Sequence, residues 1–208
     1  MDVFIDSDLF ETSKEVLSDI VSEARNKVDA TGRRIVEIRI DGQPVTEDDL
    51  PNIDEEGEEA EEVQFITEDP YQMVRTVLLD VRDALEEAKE IHHQVAELLQ
   101  TDQTTEAMEA FSPALNIWKQ TEESIRKSAE FLSLDLTGIS VNDKPITEIF
   151  TDFADKLKQI FQQYNDGDMF GLSDTLGYEM DEVVDLWSEM LDVLSDHVST
   201  LGEEARQA

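Results

Sequence analysis

Two similar seven-residue motifs constrain the architecture of this 208-residue chain more than any other feature of its sequence. Residues Asp41–Glu47 read DGQPVTE, and residues Asn142–Glu148, 101 positions further along, read NDKPITE. Similarity between segments at a fixed offset is the signature of repeated structural units. The alignment extends upstream without a gap, so the sequence predicts two related helix-then-strand units, Phe10–Glu47 and Phe111–Glu148.

The first of these units has the pattern of a helix followed by a strand. Apolar residues recur at helical spacing over residues 8–29, and apolar and polar residues alternate over residues 36–40. Asp41-Gly42 favours a tight turn into a short return strand at Val45. Because Pro44 has no amide hydrogen, that return strand is expected at the edge of a sheet.

A block rich in carboxylates separates this hairpin from a third predicted strand. Seven of the nine residues 54–62 are acidic, and such a block favours a mobile, solvated loop over an acidic tag that binds a partner. Residues 63–67 follow with the pattern of a strand. Residues 1–68 are therefore predicted to form a first domain, a helix with a small sheet.

Two long helices are predicted next. The first begins at Pro70, because proline suits the first turn of a helix, and its apolar residues alternate steps of three and four, as in a coiled coil. These positions are Val74, Val77, Val81, Ala84, Ala88, Ile91, Val95 and Leu98. The second helix covers residues 104–132 and contains Pro113, which is expected to kink it or to restart it at Ser112. The short link between the two predicts an antiparallel helical hairpin.

The remaining residues repeat this arrangement. A predicted strand at residues 134–141 precedes a helix that follows Pro145 and a final helix over residues 169–201, and these two helices predict a second long hairpin. Residues 69–208 are predicted to pack as one domain with the strand as an insert. The predicted fold class is α+β and predominantly α, with two antiparallel helical hairpins, a small β-sheet and an internal pseudo-repeat.

The chain is strongly acidic, with 51 Asp and Glu against 16 Lys and Arg and a net charge of −35. Surfaces that bind phosphates or anionic lipids need clusters of Lys and Arg, so the sequence predicts neither a nucleic-acid nor a membrane partner. No stretch approaches the about 18 apolar residues of a membrane span, and the acidic first residues differ from the basic start of a signal peptide. A soluble, cytoplasmic protein is expected. Its acidity fits either a solvated surface in a salt-rich habitat or a surface that attracts a basic partner.

Residues that could carry catalysis or bind a metal are few. Cysteine is absent, which excludes disulfides and thiolate chemistry. His92 and His93 are adjacent, whereas two histidines on a helix need a spacing of three or four to bind one metal, so both are interpreted as solvated. A calcium loop that starts at Asp166 would need Glu at its twelfth position, where Gly177 stands. No catalytic, cofactor-binding or metal-binding residue is predicted.

Glu122 is the carboxylate that departs from its surroundings, because it lies where the apolar pattern of its helix expects an apolar residue. A buried carboxylate has a raised pKa and can act in catalysis, which would indicate an enzyme. The favoured interpretation is that the helix rotates after Pro113 and lets Glu122 reach solvent.

The last two helices are rich in aromatic and methionine residues, which either build the core or leave an exposed strip that receives a partner helix. The residues predicted to contact a partner are Phe150, Phe153, Tyr178, Trp187 and Met190. The leading functional hypothesis is a non-enzymatic adaptor or chaperone-like protein that holds a protein segment against its helices. The alternative is a structural protein that associates with a second copy through its heptad pattern.

The segment Asp168–Glu179, followed by Trp187, resembles a motif of uncharacterised, acidic bacterial helical proteins. The stretch Glu106–Trp118 has the same character, so the resemblance covers roughly the last 100 residues. It implies a helical fold and carries no assigned activity. In size, acidity and helical hairpins the chain is also similar to flagellar and type III export chaperones, a likeness of composition that implies a protein partner.

Overall fold

The computed structural model describes residues 1–46, 49–50 and 60–207. Its secondary structure is α+β and predominantly α, which confirms the predicted fold class at that level. Most of the predicted acidic loop at residues 54–62 lies outside the described residues.

The chain divides into two compact units. One consists of residues 1–73 together with 202–208, and the other of residues 74–201. The first unit contains the β-sheet and a helix packed on it, and the second is dominated by helices.

The first unit is a five-stranded mixed sheet. Its strands are β1 (Asp2–Ile5), β2 (Asp8–Leu9), β3 (Arg34–Ile40), β4 (Gln43–Val45) and β5 (Glu62–Glu68), arranged in the order β2-β1-β5-β3-β4. β1 and β5 run parallel, and each other neighbouring pair is antiparallel. One helix, α1 (Leu17–Asp29), connects β2 to β3. This strand order with a helix at that point is the β-grasp topology.

The apolar face of α1 packs on the sheet. The buried residues of α1 recur at helical spacing, at Leu17, Ile20, Val21 and Ala24. They share one core with the buried strand residues Val3, Ile38, Val63 and Phe65. Full burial of each larger side chain of this kind contributes about 1.5–3 kcal/mol. This shared core places α1 across one face of the sheet.

The strands β3 and β5 confirm the predictions at residues 36–40 and 63–67, and β4 lies at a sheet edge as Pro44 requires. The predicted helix over residues 8–29 is wrong at its start. Residues 8–9 form β2, and β1, which pairs with β5, was not predicted. The β5 partners of β1 lie about 60 residues further along the chain, so no local pattern reveals that pairing.

Helices dominate the rest of the chain. They are α2 (Pro70–Gln100), α3 (Thr104–Leu132), α4 (Ile146–Asp166), α5 (Met169–Asp174) and α6 (Met180–Gln207), with a π-helical turn (Thr175–Glu179) between α5 and α6. A 3₁₀ helix (Leu136–Gly138) and the short strands β6 (Ser140–Val141) and β7 (Lys144–Pro145) lie between α3 and α4. No described helix combines the length and the apolar character that crossing a membrane requires.

A row of polar side-chain pairs, two of them salt bridges, shows that α2 and α6 run antiparallel. The pairs are Arg82–Asp192 at 2.9 Å, Lys89–Asp185 at 2.8 Å and His93–Asp181 at 3.0 Å. As the residue numbers rise along α2, they fall along α6. The pairs are partly exposed, so each contributes under about 1 kcal/mol, and their main effect is to favour one register.

The buried stripe of α2 agrees with the predicted apolar pattern at Val74, Ala88 and Val95, and elsewhere it is shifted by one residue. Buried residues recur every seven positions at Leu78, Leu85, His92 and Leu99. The remaining predicted positions are not fully buried, namely Val77, Val81, Ala84, Ile91 and Leu98. The apolar residue that follows Val74 on the same helix face can be three residues further, at Val77, or four, at Leu78. Periodicity alone does not choose between these two positions.

Both copies of the seven-residue motif contain a tight β-turn, at Asp41-Gly42 and at Asn142-Asp143. The φ angles are 51° and 78° at Asp41 and Gly42, and 50° and 66° at Asn142 and Asp143, as a two-residue type I′ loop requires. The flanking structures differ, because β3 has seven residues and pairs on both sides whereas β6 has two and pairs only with β7 among the described strands. The predicted strand at residues 134–141 is therefore mostly wrong. The larger pseudo-repeat and the two helical hairpins stay predictions.

Candidate partner-binding groove

An aromatic cluster occupies the core of the second unit. The ring of Trp187 lies 5.2 Å from that of Trp118, 4.9 Å from that of Phe153 and 5.1 Å from that of Phe150, measured between centroids. These separations and the steep angles between the rings are those of favourable edge-to-face pairs. Residues from α3, α4 and α6 therefore meet at one point.

The five residues predicted to contact a partner are only partly brought together. Trp187 and Met190 are fully buried and Phe153 is 5% exposed, so these three serve the packing of the unit. Phe150 is half-buried beside Trp187, and Tyr178 is 69% exposed. Their binding role stays a prediction.

A groove of about 240 Å³ opens beside this cluster. Its apolar lining comes from α4 and α6, with Ile149, Phe153, Val183, Leu186 and Trp187. Its charged lining consists of Lys144, Asp152, Lys156, Glu179 and Glu182. Since Phe153 and Trp187 are buried, they form the floor, and the charged side chains form the rim.

Two lysine–carboxylate pairs bound the groove. Lys144 of β7 bonds to Asp152 of α4, and the Nζ of Lys156 donates to the Oε2 of Glu179 at 2.5 Å. The hydrogen bond from Lys156 lowers the pKa of Glu179 below its ordinary value. Glu182 has no ion-pair partner among the described residues. The rim therefore carries one more negative charge than its lysines neutralise.

The π-helical turn positions one side of this rim. The Oγ1 of Thr175 accepts hydrogen bonds from the Nε2 atoms of Gln159 and Gln163 on α4, at 3.2 and 3.0 Å. A Cβ atom on Gly177 would lie 3.1 Å from the Cβ of Ala96, so glycine allows α2 to approach closely. A π turn holds an extra residue relative to the α-helix and is frequent at functional sites. Here it leaves Tyr178 exposed and brings Glu179 to Lys156.

His92 is a residue that the sequence interpretation placed wrongly, because it is fully buried and not solvated. The Nε1–H of Trp118 donates to the Nε2 of His92 at 3.3 Å, and the Nδ1 of His92 has no partner among the described residues. Burial lowers the pKa of His92 to about 4. The signal that could have found it is the heptad spacing of Leu78, Leu85 and Leu99, in which His92 fills the vacant place.

The other residues singled out in the sequence lie at the surface. His93 is 47% exposed and faces Asp181. Glu122 is exposed on α3, which continues through Pro113 without a restart at Ser112. A buried carboxylate, the premise of the enzymatic hypothesis, is therefore not present at Glu122.

The stretch that resembles a calcium loop serves as a pair of helix caps. Gly167 ends α4 in the left-handed conformation, and Asp168 caps α5 by accepting from the backbone N–H of Gly171 at 2.9 Å. Within the described ranges, no group of three or more His, Cys, Asp and Glu side chains could hold a metal ion.

Comparison with known proteins gives a family and no activity. Residues 76–190, which include the whole groove and the π turn, match the family described as Domain of unknown function (DUF8042). No curated protein and no solved structure matches the chain significantly. The predicted membership in an uncharacterised family is confirmed. Because the match spans more than half of the chain, this protein belongs to the DUF8042 family.

Proposed function

We propose that this protein is a non-enzymatic adaptor or chaperone-like protein of the cytoplasm, and that the groove between α4 and α6 holds a segment of a protein partner. The observation that supports this most directly is the composition of the groove. Apolar side chains on its floor are bounded by charged side chains on its rim, which is the usual arrangement of an interaction surface.

The size of the groove favours a side chain over a cofactor. Small-molecule sites typically enclose about 300–1,000 Å³, and this groove has about 240 Å³ and is open to solvent. One or two side chains of a partner segment fit such a space. The predicted helical hairpins, if α4 and α6 form one of them, would present the groove along the seam between two helices.

A photo-crosslinker placed at Leu186 tests the groove directly. Leu186 lines the groove and is half-buried, so benzoyl-phenylalanine at this position is expected to capture a defined partner from lysate of the protein's own cells, identified by mass spectrometry. The matched control carries the same crosslinker at Glu122, which is exposed on α3. Capture should weaken as salt is raised, because the contact is partly electrostatic.

Recovery of the same proteins from both positions would show that the crosslinks report a sticky surface and not the groove. Recovery of none from Leu186, with the helix content unchanged by circular dichroism, would contradict the proposed function.

A second candidate function, association with another copy, is favoured by one observation. The residues beside the buried stripe of α2 remain at least partly exposed over four repeats, at Val77, Ala84, Ile91 and Leu98. If these exposed residues form a self-association surface, the mass measured by sedimentation should rise with protein concentration. The rise should be larger in high salt, which screens the charge of −35 on each copy. A strict monomer at high concentration and high salt removes this candidate.

A further inference from the structure

Six carboxylates of α6 and of the π turn that precedes it form two columns with different surroundings. One column faces α2, and each of its members pairs with a base of that helix; the members are Asp181, Asp185 and Asp192. The other column comprises Glu179 and Glu182, which line the groove, and Glu189, which lies seven residues beyond Glu182 and so shares its helix face. These two columns differ in how completely the fold neutralises them.

The groove-side column is short of cations. Glu179 pairs with Lys156, and Glu189 accepts a hydrogen bond from the neutral amide of Asn142 at 2.7 Å. Within the residues that the structure describes, neither Glu182 nor Glu189 meets a lysine or an arginine. Both side chains are exposed, and Glu182 lines the groove, so a cation from outside the chain can reach them.

Resting on the function proposed above, we infer that the groove binds a segment of the partner that carries lysine or arginine. The charged end of such a side chain meets Glu182 and Glu189, while its methylene stem and its apolar neighbours lie on Phe153 and Leu186. A neutral apolar segment would use the floor and leave the rim unpaired. A basic segment uses both.

Charge argues for this occupant over a second copy of the chain. Residues 159–205 contain no Lys or Arg and 12 Asp and Glu, so the surface of α6 carries a field that attracts basic segments and accelerates their association. A second copy would bring the same negative charge to the groove and be repelled.

The floor of the groove argues for a peptide over a small polyamine. That floor is apolar, with Phe153, Leu186 and Trp187 among its residues. A peptide brings apolar side chains to such a floor beside its cation, whereas a polyamine such as spermidine carries charged amines along its whole length and has no apolar side chain. The partner chemistry is therefore a basic protein segment with apolar neighbours.

Short synthetic peptides test this inference. Each contains one arginine between leucine and phenylalanine residues, and a matched peptide carries citrulline, which keeps the size of arginine and removes its charge. Binding is measured by calorimetry at low salt. The arginine peptides are expected to bind about ten-fold more tightly than the citrulline peptides, the range of one or two partly exposed ion pairs.

Charge-matched variants locate the effect. The double variant Glu182→Gln, Glu189→Gln should remove the preference for arginine, whereas Glu122→Gln with Asp196→Asn, which makes the same change in net charge at exposed positions outside the groove, should keep it. The inference is wrong if citrulline peptides bind as tightly as arginine peptides, or if the control variant loses the preference for arginine as the groove variant does. It is also wrong if spermidine binds tightly or if no arginine peptide binds.

The outcomes separate this inference from the proposed function. If citrulline and arginine peptides bind equally and Leu186→Arg abolishes both, the groove binds partners and the cationic preference is wrong. If no peptide binds and the crosslinker at Leu186 also captures nothing, both are wrong.

Discussion

Replacing Trp187 with alanine is expected to lower the free energy of unfolding of the second unit by about 3–5 kcal/mol, the range for removing a large aromatic side chain from a core. Trp187 is fully buried and contacts the rings of Trp118, Phe150 and Phe153. The substitution removes its apolar area and these edge-to-face contacts together, and the close-packed helices can collapse onto the cavity only in part.

Urea unfolding followed by far-ultraviolet circular dichroism measures this loss, because the helices dominate that signal. Trp187→Phe is the milder variant: it keeps a ring in the cluster and removes an indole N–H that has no acceptor among the described residues, so it should cost clearly less than alanine. Tyr178→Ala is the matched surface control, expected to change stability by less than about 0.5 kcal/mol because the side chain is 69% exposed. A loss under about 1 kcal/mol for Trp187→Ala would mean that the ring is not in the core.

This comparison also separates two roles that the sequence could not distinguish. Trp187 and Tyr178 are both aromatic residues of the last helical segment and both were predicted to contact a partner, yet one is buried and the other exposed. Aromatic identity and helical spacing are the same for a core residue and an interface residue. What decides between them is the rotation of the helix, which depends on its tertiary contacts.

The helices were largely predictable because their periodicity is long. The predicted helix at residues 104–132 and the start at Pro70 coincide with α3 and α2, since apolar residues at steps of three and four over many turns leave few alternatives. The strands β1 and β2 have four and two residues, too few for a period to be recognised, and β1 is stabilised by pairing with β5, which is distant in sequence.

The groove was not predictable, for a reason specific to the π turn. The sequence predicts one continuous helix over residues 169–201, whereas the structure inserts the turn at Thr175–Glu179. The extra residue changes which side chains of α6 face α4, and it is stabilised by contacts of Thr175 and Gly177 with other helices. No local pattern contains those contacts, so the pairing of Glu179 with Lys156 follows only from the fold.

Acidification is expected to destabilise the second unit through His92. Its pKa is about 4 in the folded protein because burial disfavours the charged ring; the nearby Asp181 raises the pKa in part and His93 lowers it. In the unfolded chain the ordinary value of 6.5 applies. The unfolded chain therefore takes up the proton first as the pH falls. Above pH 6.5 His92 is neutral in both states and does not lower the free energy of unfolding. Between pH 6.5 and pH 4 the unfolded chain binds the proton and the folded protein does not, so the free energy of unfolding falls by up to about 3 kcal/mol.

The variant His92→Gln isolates this contribution, because glutamine is neutral at every pH and its carbonyl can accept the hydrogen bond from Trp118. Between pH 7 and pH 4.5 the wild type should lose about 2 kcal/mol more stability than His92→Gln in urea unfolding, since the titration of the many carboxylates is common to both proteins and cancels in the difference. His197→Gln, which removes an exposed histidine of α6, is the control and should follow the wild type. If His92→Gln shows the pH dependence of the wild type, His92 is not held neutral in the core, and the buried stripe of α2 must follow the predicted positions instead.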